Sequence, residues 1–156
     1  MKQFLLVLSL VAAALLCCQC TTSKELRKAQ KGAVSVPFTV LQNYYVRNDV
    51  PVDKPQHLVL DNQQDFEAVF GTAALMGGAP TDINWKTQYV IAIVLPETNR
   101  TTNFLPMEVK QSPGNVIYYY QLNRGRKTSY RQVPFSAVAL SRAVDPQQLQ
   151  VFFIEK

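Results

Sequence analysis

Short runs of apolar, β-branched and aromatic residues recur from Val34 to the end of the chain. Runs of this kind, separated by turn-forming residues, predict β-strands. Tyr89–Leu95 (YVIAIVL) is apolar without alternation, which predicts a central strand covered on both faces. The other candidate strands are Val34–Leu41, Tyr44–Val46, His57–Leu60, Phe104–Val109, Val116–Leu122, Thr128–Val133, Ala137–Leu140 and Leu149–Ile154.

Two short segments carry the chemistry of tight turns. Ser112–Asn115 (SPGN) and Asn123–Arg126 (NRGR) combine glycine with asparagine and, in the first case, proline. These residues tolerate the backbone angles that hairpin turns require. Each segment is therefore predicted to join two neighbouring strands as a hairpin.

One helix is predicted within this β pattern. Asp61 or Asn62 is a suitable N-cap, Phe66 and Val69 fall on one side of the helix, and Gly71 is predicted to end it. The expected fold class is mainly β (α+β). We expect six to eight mainly antiparallel strands in a β-sandwich or half-barrel, with the one short helix on an edge or end.

The first residues of the chain have the pattern of a bacterial lipoprotein signal peptide. Lys2 precedes the apolar stretch Phe4–Leu16, which is too short for a stable membrane span of about 20 residues. Cys18 fits lipidation best, because it has Leu15 three residues before it and the small Cys17 directly before it. Cys17 is the alternative. The predicted organisation is a signal peptide over residues 1–17, a lipid-anchored basic linker over 18–33 and a single β-rich domain over 34–156.

The charge distribution excludes one class of function. The chain has a net charge of +5, of which Lys2 contributes one and residues 21–32 contribute three (four bases and one acid), leaving +1 for residues 33–156. The basic excess is therefore concentrated next to the predicted anchor, where it suits an anionic membrane surface. A nucleic-acid interface would need the excess on a folded face. Gln19 directly follows Cys18, and in the bacterial lipoproteins that this leader resembles, a residue other than aspartate at that position implies the outer membrane.

Few residues offer catalytic or metal-binding chemistry. His57 is the only histidine, and no G-x-S-x-G motif is present. The three cysteines all lie between residues 17 and 20. Asp61, Asp65 and Glu67 lie where acidic residues stabilise a helix start. We therefore expect no metal, no cofactor and no catalysis. A hydrolase that uses His57 is the second alternative.

Basic residues cluster late in the chain. Arg124, Arg126, Lys127 and Arg131 lie on or just beyond the predicted turn, and Arg100 lies in the predicted loop Glu97–Asn103. Arginine engages carboxylates and phosphates bidentately, so this set is the candidate surface for an acidic partner, a lipid headgroup or a polysaccharide. Tyr118–Tyr120 precede it. An exposed pair of these tyrosines, or an exposed Trp85, would instead favour a carbohydrate-binding module.

The order of segments over residues 56–154 resembles the PrcB-type family of protease-complex lipoproteins. The resemblance is carried by Asp65–Gly71 (DFEAVFG), Pro80–Trp85 (PTDINW), the strand YVIAIVL and Val133–Phe135 (VPF). Thr98–Asn103 departs from the family, whose corresponding loop carries a glycine-rich element. The resemblance implies a lipid-anchored accessory β-domain that binds a partner protein in the cell envelope. A glycan-binding envelope module is the first alternative.

Overall fold

The computed structural model describes residues 23–73, 78–142 and 146–156. The predicted signal peptide and the candidate lipidation sites Cys17 and Cys18 lie outside these residues. Within the described ranges, no helix has the length and apolar character needed to cross a membrane.

The described chain folds into ten strands and two α-helices. In chain order these are α1 (residues 23–30), β1 (Val34–Val36), β2 (Phe38–Val40), β3 (Tyr44–Val46), β4 (Gln56–Leu60), α2 (Gln63–Val69), β5 (Phe70–Thr72), β6 (Gln88–Val94), β7 (Thr98–Ser112), β8 (Asn115–Gln132), β9 (Phe135–Ser141) and β10 (Gln150–Glu155). A short 3₁₀ helix, Pro146–Gln148, precedes β10.

The strands form three sheets. Sheet A has the order β1-β7-β8-β10, sheet B has the order β2-β9-β6-β4, and sheet C is the pair β3-β5. Neighbouring strands pair antiparallel except β8 and β10, which pair parallel. The predicted mainly β fold is confirmed. The described chain has more strands than predicted and a second helix, and sheets A and B are open sheets that face each other as a sandwich.

Strand β6 lies inside sheet B and is buried along almost its whole length. Tyr89, Ile91 and Ile93 point between sheets A and B, where they meet side chains of β7, β8 and β9. Val90 and Val94 point to the opposite side of sheet B, where they meet α2 and sheet C. Both faces of β6 are therefore covered, which confirms the central strand predicted from its unbroken apolar run.

Helix α1 covers the outer face of sheet A. Ala29 is 1% exposed and packs with Ile117, Tyr119 and Phe152, and the partly buried Leu26 joins the same cluster. The carbonyl of Ala29 accepts a hydrogen bond from Ser112 Oγ at 3.0 Å. The prediction that residues 18–33 form a linker is therefore wrong for residues 23–30, which pack on the folded domain as a helix. Its apolar stripe is only two residues wide, and the sheet face that receives it comes from distant parts of the chain.

Helix α2 begins as predicted and ends differently. Asn62 is the N-cap, and its side chain accepts a hydrogen bond from Asp65 N at 2.9 Å. The helix ends at Val69, and the chain enters β5 directly, so Gly71 lies in a strand and does not cap the helix. A Cβ at Gly71 would lie 2.6 Å from the ring of Tyr45, its partner across sheet C. The glycine is needed for this close approach of an aromatic ring.

The two predicted hairpin turns have different outcomes. Ser112 pairs with Asn115, so the SPGN segment joins β7 to β8 as predicted. The predicted turn at Asn123–Arg126 is wrong, because these residues lie within β8. The local chemistry of Asn123–Arg126 favours a turn. Backbone pairing with β7 nevertheless keeps this segment in an extended strand.

Two buried tyrosines in the sandwich differ in their hydrogen bonding. Tyr118 and Ser136 share a hydrogen bond of 2.6 Å that links β8 of sheet A to β9 of sheet B. The hydroxyl of Tyr89 is buried and finds no partner among the described residues. Burial raises the pKa of both tyrosines to about 12, and the bond to Ser136 partly offsets this for Tyr118.

These two tyrosines form a matched pair for measurement. We expect Tyr118→Phe to lower the free energy of unfolding by about 1–3 kcal/mol, because Ser136 would keep a buried hydroxyl without its partner. We expect Tyr89→Phe to leave this free energy unchanged or to raise it, since no bond is lost. Urea unfolding of both variants measures the difference, and equal losses in the two variants would contradict the assignment.

Candidate functional site

The candidate interaction residues all lie on one two-stranded ribbon. Residues Thr98–Asn103 of β7 pair with residues Asn123–Gln132 of β8, and we call this part of the pair the basic ribbon. It begins where Val94 of β6 pairs with Phe135 of β9, so the pairing of sheet B continues into the pairing of sheet A. The basic ribbon therefore lies at the corner where the chain passes between the two sheets.

The pairing within the basic ribbon is irregular. Thr98 pairs with Gln132 and Arg100 pairs with Lys127, so Asn99 alone faces Thr128–Arg131. Side chains hold this bulge, since Thr128 Oγ1 donates to the carbonyl of Asn99 at 3.0 Å and Gln132 Nε2 donates to that of Arg100 at 2.9 Å. Bulges of this kind re-aim side chains at the edges and corners of sheets.

Gly125 allows the two strands to approach closely. A Cβ at this position would lie 2.6 Å from Thr101 Oγ1 and would clash with it. Without that Cβ, Thr101 Oγ1 donates a hydrogen bond to the carbonyl of Arg126 at 3.1 Å. Arg100 Nη1 donates to the carbonyl of Gly125 at 3.4 Å. Gly125, which contributed to the prediction of a turn, thus allows β7 and β8 to approach each other closely. The hydrogen bond to its carbonyl holds the guanidinium of Arg100 against β8.

The basic side chains differ in how their charge is compensated. Arg131 forms an ion pair with Glu97, and Arg124 forms one with Glu155 at 3.5 Å. Within the described residues, no carboxylate lies within 4.0 Å of the charged groups of Arg100, Arg126 and Lys127. These three residues occupy paired or adjacent positions, so the basic ribbon carries a local, uncompensated positive charge.

Exposed apolar side chains accompany this charge. Tyr130 lies within the basic ribbon and is 56% exposed, while Leu105 and Met107 follow it on β7 and are 48% and 49% exposed. Tyrosine, methionine and arginine are enriched in protein interfaces, whereas lysine is depleted. Sequence reasoning missed these three residues, because their exposure depends on irregular pairing. Leu105 and Met107 lie on either side of Pro106, where the register of the pairing shifts. Tyr130 lies in the bulge opposite Asn99.

The structure pairs two segments that were predicted as separate features of the chain. The predicted loop Glu97–Asn103 is mostly β7, and the predicted hairpin tip lies on the strand paired with it. Arg100 therefore lies opposite Lys127. Arg124, which belongs to the candidate surface, forms an ion pair with Glu155.

The three consecutive tyrosines do not form an exposed aromatic platform. Tyr118 and Tyr120 point into the core between sheets A and B, and Tyr119 packs beneath α1 on the opposite face. All three are less than 9% exposed. The alternation predicted for these residues is present, and both faces are covered.

His57 lies on the edge strand β4, where its ring stacks on Phe153 of β10 with centroids 4.4 Å apart and planes 5° apart. The stack joins the edge of sheet B to the edge of sheet A. Desolvation lowers the pKa of His57 from its ordinary value of 6.5, so the neutral ring is favoured. Among the described residues, no three His, Cys, Asp or Glu side chains are grouped so that they could hold a metal ion.

The lowered pKa of His57 makes stability depend on pH. The unfolded chain binds the proton more readily than the folded chain, so the free energy of unfolding should be greatest above about pH 6.5 and decrease as the pH falls through that value. We expect this decrease to be smaller in His57→Phe, which keeps an aromatic stack but cannot titrate. Urea unfolding of both proteins at several values between about pH 7.5 and 5.5 tests this, and identical pH dependence would contradict it.

Comparison of the chain with protein-family models, with curated proteins and with solved structures finds no match in any of the three. The resemblance of residues 56–154 to the PrcB-type lipoproteins therefore stays a prediction.

Proposed function

We propose that this protein is a lipid-anchored accessory protein of the outer membrane that docks an acidic protein surface through its basic ribbon, without catalysis of its own. The observation that carries the proposal is the group of three uncompensated cations, Arg100, Arg126 and Lys127, on a hydrogen-bonded pair of strands. Held in place in this way, the ribbon loses little conformational freedom on binding, which favours affinity.

An acidic protein suits this surface better than a nucleic acid. The folded domain is nearly neutral, and its compensated bases, Arg124 and Arg131, already contact Glu155 and Glu97. A phosphate backbone would face these carboxylates as well as the bases. Arginine forks beside the exposed Tyr130 match the composition of protein interfaces, in which a few desolvated anchors contribute most of the binding energy.

The position of α1 supports an orientation close to the membrane. If Cys18 carries the lipid, only five peptide units separate it from Ser23, which corresponds to at most about 18 Å of extended chain. Lys24, Arg27 and Lys28 of α1 are exposed, while Ala29 is held against sheet A. The short connection would keep these bases within reach of anionic headgroups.

The lipid anchor can be tested directly in the full-length protein. We expect Cys18→Ala to abolish incorporation of an alkyne-labelled fatty acid and to release the protein from the membrane fraction, because the acyl chains would have no attachment site. Cys17→Ala and Cys20→Ala are the matched controls and should keep both the label and the membrane association. Loss of label only in Cys17→Ala would transfer the site to that residue, and label retained in all three variants would refute a cysteine-linked anchor.

The docking surface can be tested by charge reversal. We expect Arg126→Glu/Lys127→Glu to weaken capture of the partner by at least about tenfold in cross-linking from the native envelope, as loss of close charge contacts across an interface does. The control Lys54→Glu/Lys86→Glu makes the same change of charge at exposed positions off the ribbon.

The captured protein should then bind the purified wild-type domain more weakly as salt is added. Support requires that one protein be retained by the wild type and the control, and lost from the ribbon variant. Equal capture by the ribbon variant would remove the basic ribbon from the interface.

A further inference from the structure

A cavity of about 370 Å³ lies on the side of sheet B that faces away from sheet A. Helix α2, sheet C and the segment Asp82–Trp85 line it and leave it open to solvent on one side. The described residues of its lining include neither His57 nor any residue of the basic ribbon. Its volume falls in the lower part of the range of small-molecule sites, which are mostly about 300–1,000 Å³.

The wall of the cavity is aromatic. Phe66 is 3% exposed and packs edge-on to Tyr44 at 5.1 Å, with Trp85 on another side at 5.5 Å. Tyr44 and Trp85 remain partly exposed and line the cavity. The hydroxyl of Tyr44 donates to the carbonyl of Thr81 at 2.8 Å, which ties strand β3 to the segment that carries Trp85. The two partly exposed rings are thus fixed relative to each other.

Two carboxylates on the rim of the cavity lack a cationic partner. Among the described residues, no Lys, Arg or His nitrogen lies within 4.0 Å of Glu67 or Asp82. Both charges add to the effect of burial in raising the pKa of Tyr44, so their field reaches the aromatic wall.

Arg47 is the one cation among the described residues of the lining, and an ion pair compensates its charge. Arg47 donates from Nε and Nη2 to the two carboxylate oxygens of Asp49, at 3.1 and 3.0 Å. This bidentate pair lowers the pKa of Asp49, so the carboxylate stays ionised and compensates the positive charge of the Arg47 guanidinium. The cavity therefore combines aromatic rings with a negative charge that its own residues leave uncompensated.

We propose that this cavity binds a small alkylammonium ligand. Ammonium groups are attracted to the faces of tryptophan and tyrosine and to carboxylates, and their alkyl carbons can displace water from the apolar wall. A neutral sugar matches the lining less well, because Gln63 is already engaged with Glu67 at 2.6 Å. The site is separate from the basic ribbon, whose charge has the opposite sign.

Trp85 is the only tryptophan of the chain, so its fluorescence reports directly on the cavity. The folded protein would be titrated with choline, with butylamine and with 3,3-dimethyl-1-butanol, the neutral isostere of choline. We expect a saturable change with at least one of the two amines and an affinity for the neutral alcohol at least about tenfold weaker. Preference for choline or for butylamine would assign the ligand as a quaternary or a primary amine.

Three variants locate the charge that matters. Asp82→Asn should weaken amine binding by about two- to fivefold, as loss of an exposed charge contact does. Asp49→Asn lies outside the lining and should weaken binding as well, because it releases the charge of Arg47 into the cavity. Glu97→Gln removes a carboxylate that pairs with Arg131 beside the basic ribbon, and it should leave amine binding unchanged.

The carboxylates concerned are solvent-exposed, and a circular dichroism melt of each variant confirms that it folds. If Asp82→Asn does not fold, Glu67→Gln replaces it. No saturable change with either amine below about 10 mM would overturn the proposal. Equal binding of the neutral alcohol, or saturation with glucose in place of the amines, would overturn it too.

Discussion

The burial of strand β6 on both faces is the constraint on which the rest of the structure depends. Its side chains alternate between two cores, with Ile91 and Ile93 between the sheets and Val90 and Val94 beneath α2 and sheet C. A strand of this kind needs covering layers on both sides, because each exposed face would leave apolar surface in water. The order of layers in the molecule follows from this requirement.

Sheet A covers one face of β6, and helix α1 covers the outer face of sheet A. Tyr118 and Tyr120 face β6 and β9, so Tyr119 must face outward, where α1 packs against it. Gln30 Nε2 donates to the hydroxyl of Tyr119 at 3.0 Å, which satisfies the polar end of an otherwise buried ring. The second cover, made by α2 and sheet C, leaves the aromatic cavity at its margin.

The features that we connect with function lie where this layering ends. The basic ribbon occupies the corner between sheets A and B and lies outside both hydrophobic cores. Its side chains can therefore be charged without the cost of burying that charge. The cavity occupies the edge of the second cover, where aromatic residues of the core meet exposed carboxylates. Both places combine a rigid, buried support with groups that the fold does not use for its own stability, as binding sites commonly do.

The sequence by itself determined the fold class, the central strand Tyr89–Leu95, a helix start at Asp61 or Asn62, the turn at Ser112–Asn115 and the alternation of Tyr118–Tyr120. These features depend on local patterns of burial and on the conformational preferences of a few residues. Both are properties of short segments and do not depend on tertiary contacts. It also identified Arg100, Arg126 and Lys127 by their charge. Only the tertiary structure decided that Arg100 lies opposite Lys127, that Asn123–Arg126 is strand, and that residues 23–30 pack as a helix. It also decided that Tyr44, Phe66 and Trp85 meet around one cavity. Each of these depends on contacts between residues far apart in the chain, whose energy outweighs the local preference and leaves no trace in the local pattern.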